Sequence, residues 1–580
     1  MTDLSTLFLG PLAGAECRRA SRRGWVIWVR MLPAVAAGSV AFVALWAWWI
    51  GAMIDPAHQP YFELRTGLAA VEGLLVACGL ILAPAVLAGS LAGEKERGSI
   101  GLLLTTRANS ADVVLGRLAG RLSQVLMIEL AVVPALLLFA ALSGLGWSMT
   151  LTLLALPAAA TLGGGGLALA ASALSRRGRD ALLLVYLIDV LFAIGPAVAP
   201  AGHGWLGAMS PFEPLESLTW GERTGPALAT AAAWLVLGLA SLTLASWRLR
   251  PACLAREDGA RANRSGRRAG RVPTLDERRP MLWKELYIER VGTLGRAGRW
   301  IGWALVAWLG FASVALAALA AWGSLPGREN GWSDWAVWVF NGKMYGGSAL
   351  PICLLLQAAI GLRAAVAISS ERERGTWDAL LTSPLDGSEI VRGKLWGSLH
   401  ALRWLILAAL VAWTLTASFG GLLLGEYTRL VVELATIGTF MAALGVRTSL
   451  RSATATRAMA LTIGLWLAAY LLAKAIAAVV CIAVGAACLV GYLLAIQAGL
   501  ATFQARPWFP MSFRLGSDLV FYGLYLVSTL LIVAETRLRF DRVAGRMTGG
   551  KAEVAVDRLI HGQPMAPVRL GQGKASPMVD

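Results

Sequence analysis

The chain has 580 residues, of which 57% are hydrophobic and only 15% charged, with 64 glycines and a mean hydropathy of +0.63. Ordinary soluble domains carry about 25% charged residues, so a soluble globular chain is excluded, and the high hydrophobicity excludes a disordered one. The net charge of +17 then has to be read from where the 52 lysines and arginines sit.

In chain order, apolar spans are predicted at 31–54, 67–93, 122–146, 149–174, 181–201, 227–247, 301–323, 346–370, 404–423, 428–446, 458–480 and 517–535. A helix of about 20 such residues crosses about 30 Å of hydrocarbon. Runs of about ten residues with alternating polarity, the mark of a membrane β-barrel, do not occur. The fold class read from this pattern is an all-α polytopic membrane protein with about twelve transmembrane helices. A cleavable signal peptide is not expected, because the first 25 residues hold Glu16 and four arginines without an early apolar core.

With both termini inside, the intervening segments on that side carry 43 of the 52 basic residues, against seven on the other. The positive-inside rule therefore orients the chain with both ends in the cytosol. Basicity reports orientation and attraction to the anionic leaflet, and no nucleic-acid partner is expected. Residues 458–503 are nearly all apolar and long enough for two crossings. A thirteenth crossing would put the arginine-bearing tail outside, so one span plus a re-entrant hairpin, broken near Gly485 or Gly491, is the preferred reading.

The chain repeats itself. Glu94-Lys95-Glu96-Arg97-Gly98-Ser99 matches Glu371-Arg372-Glu373-Arg374-Gly375-Thr376, and the match runs without a gap for 25 positions at a constant offset of 277, ten of them identical. Leu103-Leu104-Thr105-Thr106 faces Leu380-Leu381-Thr382-Ser383, and Gly116-Arg117-Leu118 faces Gly393-Lys394-Leu395. A weaker echo precedes each first span, where Glu16-Cys17-Arg18-Arg19 resembles the stretch from Glu285 to Arg290. Six spans per half is an even number, so both halves have the same orientation, the parallel-repeat arrangement. The domain reading is a first six-span half at 1–247, a basic cytosolic linker at 248–280, a second six-span half at 281–546 and a disordered tail at 547–580.

The repeated loop, 94–121 and 371–403, reads as a docking element. Leucines at 102–104 and 380–381 form a face that water disfavours, and the Glu and Arg residues give fixed charges to orient a partner. Alternatively the acids cap a helix and the leucines lie on the bilayer interface. Retention of the loop at the same place in both halves favours docking.

The pattern Glu-x-Glu-Arg-Gly-Ser/Thr, followed by Leu-Leu-Thr-Ser-Pro at 380–384 and by Gly-Lys-Leu, resembles the permease subunits of type-2 ATP-binding-cassette exporters. The resemblance implies six spans per half, an amphipathic elbow helix at about 8–24 and 281–297, and re-entrant helices before the sixth span. It also implies that the loop after the second span seats on an ATPase subunit. By matching position, Glu94, Glu96, Arg97 and Gly98, and Glu371, Glu373, Arg374 and Gly375, would be the contact residues. The chain has no G-x-x-x-x-G-K-[ST] loop, so ATP and Mg belong on a separate P-loop ATPase, and two docking loops predict two copies of it. The chain itself is not read as an enzyme, and no catalytic residue, cofactor or metal is assigned to it.

Charges within spans are costly, which marks Glu72, Glu129, Asp189, Arg363, Glu433 and Lys474 as candidates for a translocation path. Arg363 and Glu72 could instead pair between halves. Trp332, Trp335 and Trp338 read as an interfacial aromatic belt. The six cysteines show no paired spacing on the outer side, so neither a disulfide nor a zinc site is expected. The competing function is a twelve-span ion-coupled secondary transporter, but its repeated loops are usually short, whereas these run for about 30 residues. Composition rich in Arg, Ala, Gly and Trp points to a bacterial cytoplasmic membrane. The transported substrate does not follow from the sequence.

Overall fold

A computed structural model describes residues 25–54, 61–97, 109–175, 177–198, 209–212, 214–215, 223–262, 280–285, 303–304, 306–323, 349–383, 385–420, 422–497 and 508–544. Every regular element among them is helical, and the protein is an all-α polytopic membrane protein. Eight helices are long and apolar enough to cross a bilayer, or nine when a helix pair bent by 49° counts as one span. Two shorter apolar helices, Pro33–Trp46 and Leu309–Trp322, accompany them. By length and composition the described residues thus hold eight or nine crossings.

The first set comprises α1 (Trp25–Ile54), α2 (Tyr61–Leu87), α3 (Gly89–Arg97), α4 (Ser110–Leu130), α5 (Val133–Leu142), α6 (Trp147–Leu174), α7 (Gly178–Val198) and α8 (Gly225–Ala262). The second comprises α9 (Pro280–Trp283), α10 (Ser313–Gly323), α11 (Ala349–Arg374), α12 (Trp377–Leu381), α13 (Gly387–Ala401), α14 (Arg403–Ser418), α15 (Leu424–Arg451), α16 (Ala455–Gln497), α17 (Trp508–Leu538) and α18 (Phe540–Ala544). The sequence offset of 277 reappears in the helix limits. Ser110 and Gly387, Trp147 and Leu424, and Gly178 and Ala455 open helices, while Arg97 and Arg374, and Leu174 and Arg451, close them.

Local chemistry sets several of these limits. Asp112 in the first turn of α4 accepts the Asn109 amide through Oδ2 at 3.0 Å, satisfying a donor at the helix start. Pro134, lacking an N–H, starts α5 after a two-residue turn. The corresponding break in the second set falls at Leu402, between α13 and α14.

Two expectations are corrected. The break anticipated near Gly485 or Gly491 is absent, because α16 runs unbroken for 43 residues. It contains no proline, and a glycine costs a helix interior only about 1 kcal/mol, which its many Ala and Leu residues outweigh. The stretch read as an irregular linker from residue 248 begins as helix, since α8 continues to Ala262. The elbow segment 8–24, the tryptophans at 332–338 and the tail at 547–580 lie outside the described residues.

The core joins the two sets. Leu87, Leu91, Leu182 and Val185 pack in one apolar cluster with Ala365, Met441, Met459 and Ile463, and Cys78, Val125 and Ile128 pack with Leu467 and Leu471. Helix α16 supplies much of this contact, meeting α1, α2 and α7 as well as α11 and α15.

One polar device is used twice. Just past the break at Ala88, Ser172 Oγ accepts the amides of Leu91 and Ala92 at 3.1 and 2.9 Å. Ser449 Oγ accepts the amides of Ile368 and Ser369 at 3.0 and 2.9 Å, again 277 residues on. All of these groups are buried, so water cannot replace the hydroxyl. Ser172→Ala is expected to cost about 1–3 kcal/mol. It should also speed amide hydrogen exchange at Leu91 and Ala92. Unchanged protection there would show that the hydroxyl is dispensable.

Candidate functional site

The repeated loop follows α11, and its first acid is not at the surface. Glu371 is fully buried and pairs through Oε1 with Lys284 Nζ at 2.9 Å and with Lys394 Nζ. Lys394 lies on α13, also fully buried, and pairs in addition with Glu285, which follows α9. Glu285 Oε2 accepts from Arg363 at 3.3 Å. Two carboxylates and three cations therefore hold α11, α13 and the lead-in segment α9 together. Alternating signs make this burial tolerable, since each charge finds an opposite one at contact distance. Gly397 allows the lead-in segment to come this near, because a Cβ there would stand 2.6 Å from Glu285 Cβ.

A reduced version stands in the first set. Glu94 pairs with Arg117, whose positions are those of Glu371 and Lys394 less 277, and both side chains keep some exposure, 18% and 11%. The neighbouring base is also placed alike. Lys95 Nζ donates to the Ser172 carbonyl at 3.3 Å, and Arg372 donates to the Ser452 carbonyl at 3.2 Å. Each loop is thus fixed to the end of the fourth long helix of its set, α6 or α15.

The remaining loop residues divide between inner and outer faces. Glu373 Oε1 accepts the Ala455 amide at 2.7 Å and so caps α16, while its side chain stays exposed. Arg374 and Gly375 are exposed. Glu96 and Arg97 fall in the last turn of α3, and Gly98 lies outside the described residues. The apolar face expected of the leucines points inward. Leu380 and Trp377 are buried beside Ile390, Val446 and Phe540, with Trp377 edge-on to Phe540 at 6.2 Å and under the Arg372 guanidinium at 5.0 Å. Leu102–Leu104 lie outside the described residues. Between 373 and 382 the exposed residues are Glu373 to Thr376, Asp378, Ala379 and Thr382, all polar except Ala379 and Gly375, while Trp396 on α13 is exposed further along the loop.

The charged residues within spans differ in their partners. Glu72 on α2 is fully buried, and neither carboxylate oxygen has a hydrogen-bond partner among the described residues. Asp189 on α7 is buried in the same condition. Glu129 on α4 accepts from the Thr161 hydroxyl on α6. Arg363 is claimed by Glu285 instead of Glu72. In the second set Glu433 on α15 accepts from Tyr522 Oη at 3.5 Å and lies in the field of Lys474 and Arg429. Lys474 sits over the Phe521 ring at 4.0 Å from its centroid. Among the described residues no ion pair reaches Glu72, Glu129 or Asp189, whereas Glu433 has cations nearby.

Sequence reasoning overlooked Lys394, Glu285, Lys284 and the two serines. A signal for the first was present, since both copies place a base 23 residues after the first acid of the loop.

The described residues thus form a polytopic helical membrane bundle with paired, ion-braced loops. Residues 299–542 match the family model described as ABC-2 family transporter protein. No curated protein matches the chain. Over that stretch the chain is similar to the permease component of an ATP-binding-cassette transporter, which is not itself an ATPase and works in general with an ATPase partner. The helices before residue 299 lie outside the match.

Proposed function

We propose that the chain is the whole membrane-spanning permease of an ATP-driven exporter in a bacterial cytoplasmic membrane, with both termini cytosolic and two permease halves fused in one polypeptide. Two copies of a separate P-loop ATPase, carrying ATP and Mg, seat on the cytosolic loops 94–121 and 371–403. The observation that carries this reading is the paired bracing of those loops, Glu94 to Arg117 and Glu371 to Lys394, at one constant offset. A loop held by buried ion pairs transmits force as a rigid part, and two equivalent loops suit a symmetric motor. Glu373, Arg374 and Gly375 belong to the contact surface, with Asp378 and Thr382 beside them; Glu96, Arg97 and Gly98 are their counterparts. Glu371 and Glu94 act from behind it, as braces.

The test is mild detergent extraction, affinity purification and mass spectrometry of what remains bound. An ATPase at about two copies per chain is expected for wild type, and its loss is expected for Glu373→Lys combined with Asp378→Lys, two exposed changes that spare the buried pairs. Folded wild-type chain emerging without any ATPase would sink the reading and bring the ion-coupled secondary transporter forward.

A further inference from the structure

Helices α15, α16 and α17 leave a groove between them in the membrane-spanning region, with a volume of about 280 Å³. Phe440 of α15, Ala469 and Ala473 of α16, and Tyr525, Ser528 and Leu531 of α17 line it, so its wall is almost wholly apolar. The outward face of α17 is exposed along the same stretch, with Leu530 and Leu531 each more than 60% exposed, as suits contact with hydrocarbon.

The seam between α15 and α17 continues to the arginine-rich end. Arg447 lies two turns past Phe440, about 10 Å along the axis, and Glu535 lies one turn past Ile532. There Glu535 receives Arg447 and Arg451, each at 2.8 Å, and Arg539 at 3.5 Å. One carboxylate cannot neutralise three guanidiniums, so the cluster keeps an excess of two positive charges. Asp541 and Arg542, further along the chain, add no net charge. Arg447 Nε is buried without a hydrogen-bond partner among the described residues, and Arg451 and Arg539 are about half exposed. An apolar slot ending in a cationic cluster, at the end of the bundle that the charge distribution places in the cytosol, has the chemistry of one particular occupant.

We propose that this seam holds a single anionic phospholipid of the inner leaflet, its phosphate on Arg447, Arg451 and Arg539 and one acyl chain in the groove beside Phe440 and Tyr525. Bidentate guanidinium donors match a phosphate, and the apolar wall of the groove suits an acyl chain. The lipid supplies the negative charge that Glu535 alone does not. None of the site's residues belongs to the loop surface assigned to an ATPase.

The experiment takes the full chain, reconstituted in vesicles of equal phosphatidylglycerol and phosphatidylcholine, extracts it gently and counts retained lipids by native mass spectrometry. Wild type should keep one phosphatidylglycerol with about a tenfold or greater preference, the amount two or three surface arginines supply. Arg451→Gln with Arg539→Gln should abolish that preference. Ser528→Trp, which fills the groove, should lower retention of either lipid. Arg403→Gln, an arginine of α14 stacked on Trp404, serves as the control and should change nothing. Glycerol phosphate, which has the anion without the chains, should not displace the lipid. Equal retention of the two lipids by wild type, or an equal loss in Arg403→Gln, overturns the proposal. Displacement by glycerol phosphate overturns it as well, by showing a site for a free anion only.

Discussion

Lys394→Ala is expected to destabilise the second set of helices by about 3–5 kcal/mol, because it strands two buried carboxylates. Lys394 and both its partners, Glu371 and Glu285, are fully buried. Removing the ammonium leaves Glu371 with the partly exposed Lys284, and Glu285 with Arg363, and the two acids then face each other without a common cation. Lys394→Arg should lose much less, since the first loop already uses an arginine at the corresponding position, Arg117. Arg117→Ala should cost less, about 1 kcal/mol, because that pair keeps some solvent on both partners. Thermal unfolding in detergent, followed by the fluorescence of the 24 tryptophans, gives the comparison. Equal losses for Lys394→Ala and Arg117→Ala would show that the extended buried network contributes nothing beyond a single pair.

Gly445→Leu is the second large effect. A Cβ at this position would lie 2.6 Å from both the Gly361 carbonyl oxygen and Ala364 Cβ. The obstacle is largely main chain, which cannot rotate aside, so α11 and α15 must separate. Overpacking of a close-packed interior costs about 1–3 kcal/mol and sometimes more, and this site belongs at the upper end. Within a bilayer the loss is sharper in kind, because small residues that let backbones approach are what hold membrane helices together. Gly464→Leu provides the contrast. Nothing stands within 4 Å of a Cβ there, and leucine is the better helix former, so no loss is expected. Should Gly445→Leu melt like wild type, the close crossing of α11 and α15 would be wrong.

Much of this arrangement was legible in the residues. The run from Leu151 to Ala173 is hydrophobic enough to require a membrane helix, and α6 spans it. The offset between Glu94 and Glu371 reappears in helix limits as far along as Gly178 and Ala455, well beyond the 25 matched positions. Polarity, however, did not reveal direction. Glu371 reads like Glu373 in the sequence, yet one is sealed in an ion-pair network and the other caps α16 at the surface. Leu380 reads like a docking residue and is buried against Phe540, some 160 residues away.

The sequence by itself determined the class of protein and its repetition, because the cost of exposing apolar side chains, or of placing charges in hydrocarbon, depends on composition along a segment and on little else. Only the tertiary structure decided which acids face a partner and which brace the loop from within, since that depends on groups distant in the chain, such as Glu285 for Lys394 and Ser172 for the amide of Leu91. It also decided that α16 runs through Gly485 and Gly491. Helical propensity alone left that question open, the difference between a continuous and a broken helix being about 1 kcal/mol per glycine.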